Sequence, residues 1–386
     1  MSYSFYVPDV IEFGTDALQS LPLHVRNQGG SKVFIVTDKF FSNTGFMEAV
    51  KADLKTQGFA STIYDDVQPD PTDQNVRGGL KSLRKSECDI IVALGGGSVL
   101  DAAKVIALMS TNPEPMSQYM GYHQFKKDGI PLIAIPTTAG TGSEVSRVAV
   151  ITDTERTVKM MMLDNHLLPK VAIVDHKLTV SMPAMLTAAV GVDTLTHAIE
   201  AYVSKKANVM TDPIAQSCIQ LVAKHLITAW KKPDDDQARE AMSIAACQGG
   251  MAFSNSSVAL VHGMSRPIGA IFHIPHGLSN AMLLPVVTKF SLPGAPEKYA
   301  RISRWMGYAT NEDNDSTAND KLVNGLESMN RLLQIPSIKK YKGVDEEVFN
   351  GNLEKMANDA LASGSPQNNP VVPGVEEMMA LYRKAW

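Results

Sequence analysis

A parallel α/β domain followed by an all-helical domain is the architecture this 386-residue sequence predicts. Three observations lead there. Through the first half, short β-branched apolar runs alternate with segments of helical period. Beyond Pro183 those runs stop, and Ala-, Met- and Leu-rich helical periodicity takes over. The length exceeds what one hydrophobic core usually serves, so two domains, 1–181 and 182–386, are expected.

The expected strands are "KVFIVTD" (Lys32–Asp38), "STIYDD" (Ser61–Asp66), "DIIVALGGG" (Asp89–Gly97), "LIAIPTT" (Leu132–Thr138) and "VAIVD" (Val171–Asp175). Runs this continuously apolar suit strands covered on both faces, as in a parallel sheet. Phe46, Val50 and Leu54, then Val76, Leu80 and Leu83, recur at helical spacing between the first three. "SRVAVITDTERTVKMMMLD" (Ser146–Asp164) carries a polar turn at Asp153–Thr157 between two strand-like runs, which predicts an antiparallel hairpin attached to the sheet. Helices are expected near 187–203, 211–231, 235–253, 276–290, 294–307, 317–333 and 343–362, several of them separated by polar punctuation such as "KKPDDDQ" and "NEDNDST".

With 44% hydrophobic and 20% charged residues the composition is ordinary and globular. A net charge of −4 without any dense Lys/Arg block argues against nucleic acid or an anionic membrane as the main partner. Cys88, Cys218 and Cys247 are odd in number and far apart, which fits a reducing cytosol better than a disulfide framework. The start, "MSYSFYVPDVIEFG", lacks the basic and apolar regions of a signal peptide. No apolar stretch approaches the roughly 20 residues that span a bilayer. A soluble cytoplasmic protein is the expectation.

"ALGGGSVLDAAK" (Ala93–Lys104) follows a buried strand and opens a helix. Its glycines allow close backbone approach, and the helix N-terminus offers free N–H groups and the positive end of the dipole, which suits a phosphate. A tight strand-to-helix turn without ligand is the competing reading. The run is neither G-x-G-x-x-G nor a P-loop. "IPTTAGTGSE" (Ile135–Glu144) repeats the idea after the next strand, with hydroxyls from Thr137, Thr138, Thr141 and Ser143. Two such loops at the carboxyl ends of neighbouring strands fall where open α/β sheets bind ligands. Asp38 ends the first strand; an acid there can bond a ribose diol and repel a 2′-phosphate, favouring NAD, or can be a plain strand-end turn residue.

"GVDTLTHAIEAY" (Gly191–Tyr202) places Asp193 and His197 one helical turn apart on a common face. A surface ion pair, a buried polar knot and half of a metal site all fit. "VHGMSRPIGAIFHIPHGLSN" (Val261–Asn280) adds His262, His273 and His276. One carboxylate with three imidazoles suits Fe(II) or Zn(II) better than calcium or magnesium, although a single histidine on an apolar helix is more often a hydrogen-bonded core residue.

"GGGSVLDAAK", "PTTAGTGSEV", "TAAVGVDTLTHAIEAY", "GGMAFSNSSVALVHGM" and "HIPHGLSNAMLLP" occur in this order, and with them the chain resembles the iron-containing (group III) alcohol dehydrogenases from end to end. The resemblance implies the dehydroquinate synthase-like fold, an N-terminal dinucleotide-binding domain and a C-terminal helical domain, with a metal in the cleft between them. It implies Asp193, His197, His262 and His276 as ligands of iron, with zinc possible. It places Gly96, Gly97, Ser98, Asp101, Thr137, Thr138, Thr141 and Lys159, with Asp38, around NAD, and Phe253 in the substrate pocket. It implies a metal acting as a Lewis acid while hydride passes between a small alcohol and the nicotinamide, and a homodimer by analogy.

One departure stands out: many members carry a second histidine four residues after the third ligand, and here that residue is Arg266. Arginine cannot shuttle a proton near neutral pH but can hold a carboxylate or phosphate. Either Arg266 favours an anionic or strongly polar substrate, or it turns away to pair with an acid. His273 then becomes a candidate for proton transfer, with a wall residue as the alternative. Competing functions are a zinc polyol dehydrogenase, a maleylacetate-type reductase, a hydroxy-acid enzyme and, more remotely, a non-catalytic metal or nucleotide sensor.

Overall fold

The computed structural model describes residues 3–156 and 158–386, so Thr157, within the expected hairpin turn, lies outside the described residues. The chain forms two compact units: Tyr6–Thr179, and Val180–Trp386 together with the N-terminal residues through Phe5.

The first unit runs β1 (Val10–Phe13), α1 (Leu21–Asn27), β2 (Lys32–Val36), α2 (Lys39–Ser42), α3 (Gly45–Thr56), β3 (Ala60–Tyr64), α4 (Asp73–Ser86), β4 (Ile90–Gly95), α5 (Gly97–Met109), β5 (Gly121–Tyr122), β6 (Leu132–Pro136), β7 (Val148–Asp153), β8 (Val158–Leu163) and β9 (Val171–Val174). Six strands form a parallel sheet in the order β1-β9-β6-β4-β2-β3. Alternate residues of the central strands enter different cores. Phe34, Val36, Ile91 and Ala93 pack with α4 and α5 residues such as Leu80 and Val105. Val33, Ile35, Ile90 and Val92 pack with Met47, Val50 and Leu54 of α3. Burial on both faces is why these strands read as unbroken apolar runs.

Two expectations about this unit are corrected. The β7–β8 hairpin is antiparallel as expected, but it belongs to a separate three-stranded sheet with β5 rather than to the main one. Its inner residues Ala149, Ile151, Met160 and Met162 are buried in the core that holds α5, and that packing replaces edge pairing. The edge strand β1, paired to β9, was not anticipated, because four half-exposed residues carry little periodic signal.

In the second unit no strand occurs among the described residues. Its helices are α6 (Ala184–Val203), α7 (Thr211–Lys231), α8 (Asp236–Asn255), α9 (Leu260–Phe272), α10 (His276–Ser291), α11 (Pro296–Trp305), α12 (Asp315–Leu332), α13 (Glu346–Gly351), α14 (Leu353–Ala362) and α15 (Val375–Ala385). Helices α9 and α15 fall outside the expected set, and the expected 343–362 segment breaks at Asn352 into α13 and α14. Pro267 lies inside α9, and with Gly263 and Gly269 it hides the helix from a propensity reading. No helix among the described residues is long and apolar enough to cross a membrane.

Candidate functional site

Helices α6, α9 and α10 build a polar cluster inside the helical unit. Asp193, His197 and Glu200 lie at i, i+4 and i+7 on α6, so they share a face, and all three are buried. His262 projects from the first turn of α9 and is equally buried. His273 adopts the left-handed conformation (φ 54°) that closes α9; Pro275 then starts α10 with His276 as its first residue. Gly277 lets α10 abut α6: a Cβ there would stand 2.9 Å from the Ala189 carbonyl oxygen and 3.3 Å from the Asp193 Cβ.

Asp193 Oδ1 lies 3.8 Å from His197 Nε2 and 3.6 Å from His262 Nε2. One donor atom each from Asp193, His262 and His276 falls within a mutual 4.8 Å, and His276 keeps an edge open to solvent. The His197 ring stacks between Phe253 (centroids 4.5 Å apart) and His262 (4.6 Å). The Asn280 amide nitrogen sits 2.6 Å from Asp193 Oδ1, 3.1 Å from His262 Nε2 and 3.2 Å from His276 Nε2. One carboxylate oxygen and two imidazole nitrogens thus face the same amide group, and together they could hold a metal ion.

The electrostatics agree. Burial alone would raise the Asp193 carboxyl, but the imidazoles of His197, His262 and His276 around it hold it well below the usual carboxylate range. Burial disfavours charge on His262, yet the carboxylates of Glu200 and Asp193 at its two ends push it up to about 9. Among the described residues, the ion pairs of Asp193 and Glu200 are all with histidines, so a buried net negative charge remains for a cation to offset.

Glu200 and Asn280 were missed in the sequence. Glu200 follows Asp193 by two helical turns inside the very segment that gave the other two, and that spacing was the available signal. Its carboxylate accepts the backbone N–H of Ala259 (2.8 Å) and of Val261, and lies 2.6 Å from His262 Nδ1.

In the α/β unit, the two Gly-rich loops leave the carboxyl ends of adjacent strands, since β4 pairs with β6 in the register Gly95–Pro136. Gly96 caps α5 and Gly97 and Ser98 open it. A Cβ on Gly97 would stand 2.7 Å from the Thr141 methyl, and one on Gly96 3.4 Å from that of Thr138, so the second loop packs against the first. Thr137 donates its N–H to the Gly95 carbonyl. Asp101 is engaged inside the protein, accepting from Ser143 Oγ (2.6 Å) and the Val150 N–H (2.9 Å). Lys104 beneath it is buried and donates to Ser143 Oγ, to Ser146 and to the Val148 carbonyl. Asp38 caps α2 through the Phe41 N–H, beside a buried Thr37 hydroxyl that has no hydrogen-bond partner among the described residues. Lys159 forms an ion pair with Asp70 at 2.7 Å.

Arg266 donates to Ser365 Oγ at 3.0 Å; desolvation chiefly opposes protonation of His276, with the charges of His262, His197 and Arg266 adding to it. His273 is exposed and, among the described residues, forms none of the contacts that join His197, His262 and His276.

Comparison with known proteins identifies the family. The model of iron-containing alcohol dehydrogenases matches residues 8–176, and that of the C-terminal domain of the Fe-containing alcohol dehydrogenase family matches 187–386. An NAD-dependent methanol dehydrogenase of Bacillus methanolicus is 36% identical over 382 residues, 99% of each chain. An NADPH-dependent butanol dehydrogenase of Clostridium saccharobutylicum is 34% identical, covering 98% of this chain and 96% of the relative. The crystal structure of a 1,3-propanediol oxidoreductase superposes with a TM-score of 0.96 at 37% identity, over 100% of both chains. The chain therefore belongs to the iron-containing alcohol dehydrogenase family, oxidoreductases that act on alcohols and aldehydes with NAD(P) and a metal.

Proposed function

We propose that the protein transfers a hydride between NAD and a small alcohol/aldehyde pair at an Fe(II) held by Asp193, His197, His262 and His276. The observation that carries this reading is the convergence of the Asp193, His262 and His276 acceptor atoms on one point. When bound, the metal supplies Lewis acidity toward the substrate oxygen and the nicotinamide supplies or takes the hydride.

The chain's own residues do the rest. Asp193 contributes the negative charge, and the three imidazoles contribute borderline donors that suit iron and zinc alike. Phe253, stacked on His197, fixes that ring and presents an apolar wall to the substrate. The N-terminus of α5, with Gly96, Gly97 and Ser98, receives the pyrophosphate, and Thr137, Thr138 and Thr141 line it. Asp101 positions that loop through Ser143, and Lys159 completes the dinucleotide site from β8. Asp38 spends one carboxylate oxygen on the α2 cap and keeps the other for the ribose diol, which favours NAD. His273, accessible to water, relays the proton. Arg266, one helical turn beyond His262 on α9, draws in polar or anionic aldehydes. The active form is a homodimer in the cytoplasm.

The test is NADH and NADPH oxidation by metal-free protein reconstituted separately with Fe(II) under argon and with Zn(II). The panel contains propanal, lactaldehyde, glyceraldehyde and succinic semialdehyde. Activity restored by Fe(II), with NADH preferred, is expected. Equal turnover without metal would remove the metal from the reading. Arg266→His should lower the rate on succinic semialdehyde relative to propanal, and an unchanged ratio would make Arg266 structural.

A further inference from the structure

We infer that Glu200 is the positioning residue of the metal site: it fixes the His262 ring as the Nδ1–H tautomer and so commits Nε2 to the metal. The inference rests on the metal-site reading above and concerns a residue outside the ligand set.

The Glu200 edge of the ring specifies its tautomer. At one edge, Nδ1 stands 2.6 Å from a Glu200 carboxylate oxygen. An ionised carboxylate only accepts, so Nδ1 must carry the hydrogen. That carboxylate cannot be mistaken for a donor, because it also takes the backbone N–H groups of Ala259 and Val261 at the start of α9. At the other edge, Nε2 meets the Asn280 amide at 3.1 Å. The same amide atom lies 2.6 Å from Asp193 Oδ1, where an oxygen would face an oxygen, so it is the NH2 group that points inward. That NH2 group has two hydrogens for three neighbours, Asp193 Oδ1, His262 Nε2 and His276 Nε2, so the Glu200 edge alone specifies the tautomer. With Nδ1–H held by Glu200, Nε2 is the nitrogen that faces the cluster and the one that would meet a metal.

The positions are set by rigid elements. Glu200 lies two turns beyond Asp193 on α6, and its two backbone acceptor bonds lock the N-terminus of α9 to that helix. His262, the third residue of α9, is thus oriented by the carboxylate that also fixes its backbone. A carboxylate behind a ligating imidazole raises its basicity and holds its orientation, and loss of such a partner typically costs about 10–100-fold in metal affinity.

Glu200→Gln tests this, because the amide offers one acceptor oxygen where the carboxylate offers two. Wild type and variant are freed of metal, and Zn(II) affinity is measured by competition with a chromophoric chelator, with Asp193→Ala as the ligand-loss control. The expected result is a drop of about 10–100-fold in Zn(II) affinity for Glu200→Gln, with Glu200→Asp falling between it and wild type. Glu200→Gln that binds Zn(II) as tightly as wild type would overturn the inference while leaving the metal site standing. A wild type that takes up no more Zn(II) than Asp193→Ala would overturn the metal-site reading itself. A measurement on wild type alone guards against a variant that fails to fold. In Zn(II)-loaded, 15N-histidine-labelled protein, His262 should show a protonated Nδ1 and a ligating Nε2. The reverse assignment would refute the role of Glu200.

Discussion

The histidine cluster of the helical unit and the glycine loops of the α/β unit solve opposite problems. In the first, side chains carry the chemistry. Two carboxylates and three imidazoles lie among apolar helices, and their mutual contacts leave a negative charge and converging lone pairs. In the second, the backbone carries it: Thr138 and Thr141 fill the space over Gly96 and Gly97, and the buried Lys104 and half-buried Asp101 below are satisfied by Ser143, Ser146 and neighbouring backbone. On the proposed reading, the first cluster is completed by a cation. The second stands by itself and offers a ligand only its exposed N–H groups. A buried polar group without compensation costs several kcal/mol, so the difference shows which region should depend on its ligand for stability.

That contrast can be broken most forcefully at Asp193. Asp193→Ala removes the anionic donor and should abolish metal retention, measured by elemental analysis after dialysis, with kcat/KM falling at least about 1000-fold. NADH binding by fluorescence should survive. Gly97→Ala tests the other side: its Cβ must displace the Thr141 methyl 2.7 Å away. Overpacking of about 1–3 kcal/mol predicts NADH affinity roughly 10–100-fold weaker, with metal content unchanged. A Gly97→Ala protein that lost its metal would erase the distinction.

The polar floor of the glycine loops sharpens the comparison through pH. Burial raises the Glu144 carboxyl to about 7 and lowers the neighbouring Lys104 to about 8. Between pH 4.5 and 7 the folded chain keeps a proton on Glu144 that the unfolded chain has released, so stability from this group is full at low pH and lost by about pH 7. Lys104 acts in the other sense at higher pH: from about 8 to 10.5 the unfolded chain holds the extra proton, and stability rises. Glu144→Gln should be more stable than wild type at pH 8 by on the order of 1–2 kcal/mol, and nearly equal at pH 4.5, in urea denaturation. The smallest effect is expected at Asp38, where Asp38→Gly should shift the NADH-to-NADPH preference by about tenfold toward NADPH in steady-state kinetics.

The parts of this picture legible in the sequence are those whose signal is local. Asp193 and His197 announce themselves by their four-residue spacing, and the central strands by unbroken apolar runs. Glu200 carries the same helical period but reads as an ordinary surface acid, since only the packing of α9 shows that it is buried against His262. Asn280 is one polar residue in an apolar helix until α6 and α9 bring Asp193 and His262 to it. Helix α9 escaped because Pro267 breaks the expected pattern, and the separate sheet of β7 and β8 because its third strand, β5, is two residues long. In each case the missing information is a contact between distant segments.

The central claim is that the α6–α9–α10 cluster holds the metal. Crystals of the protein grown anaerobically with Fe(II), and measured on both sides of the iron absorption edge, test it most directly. The account predicts one anomalous peak per chain, within bonding distance of Asp193, His197, His262 and His276. A peak elsewhere, or none in protein that oxidises NADH with an aldehyde, would contradict it.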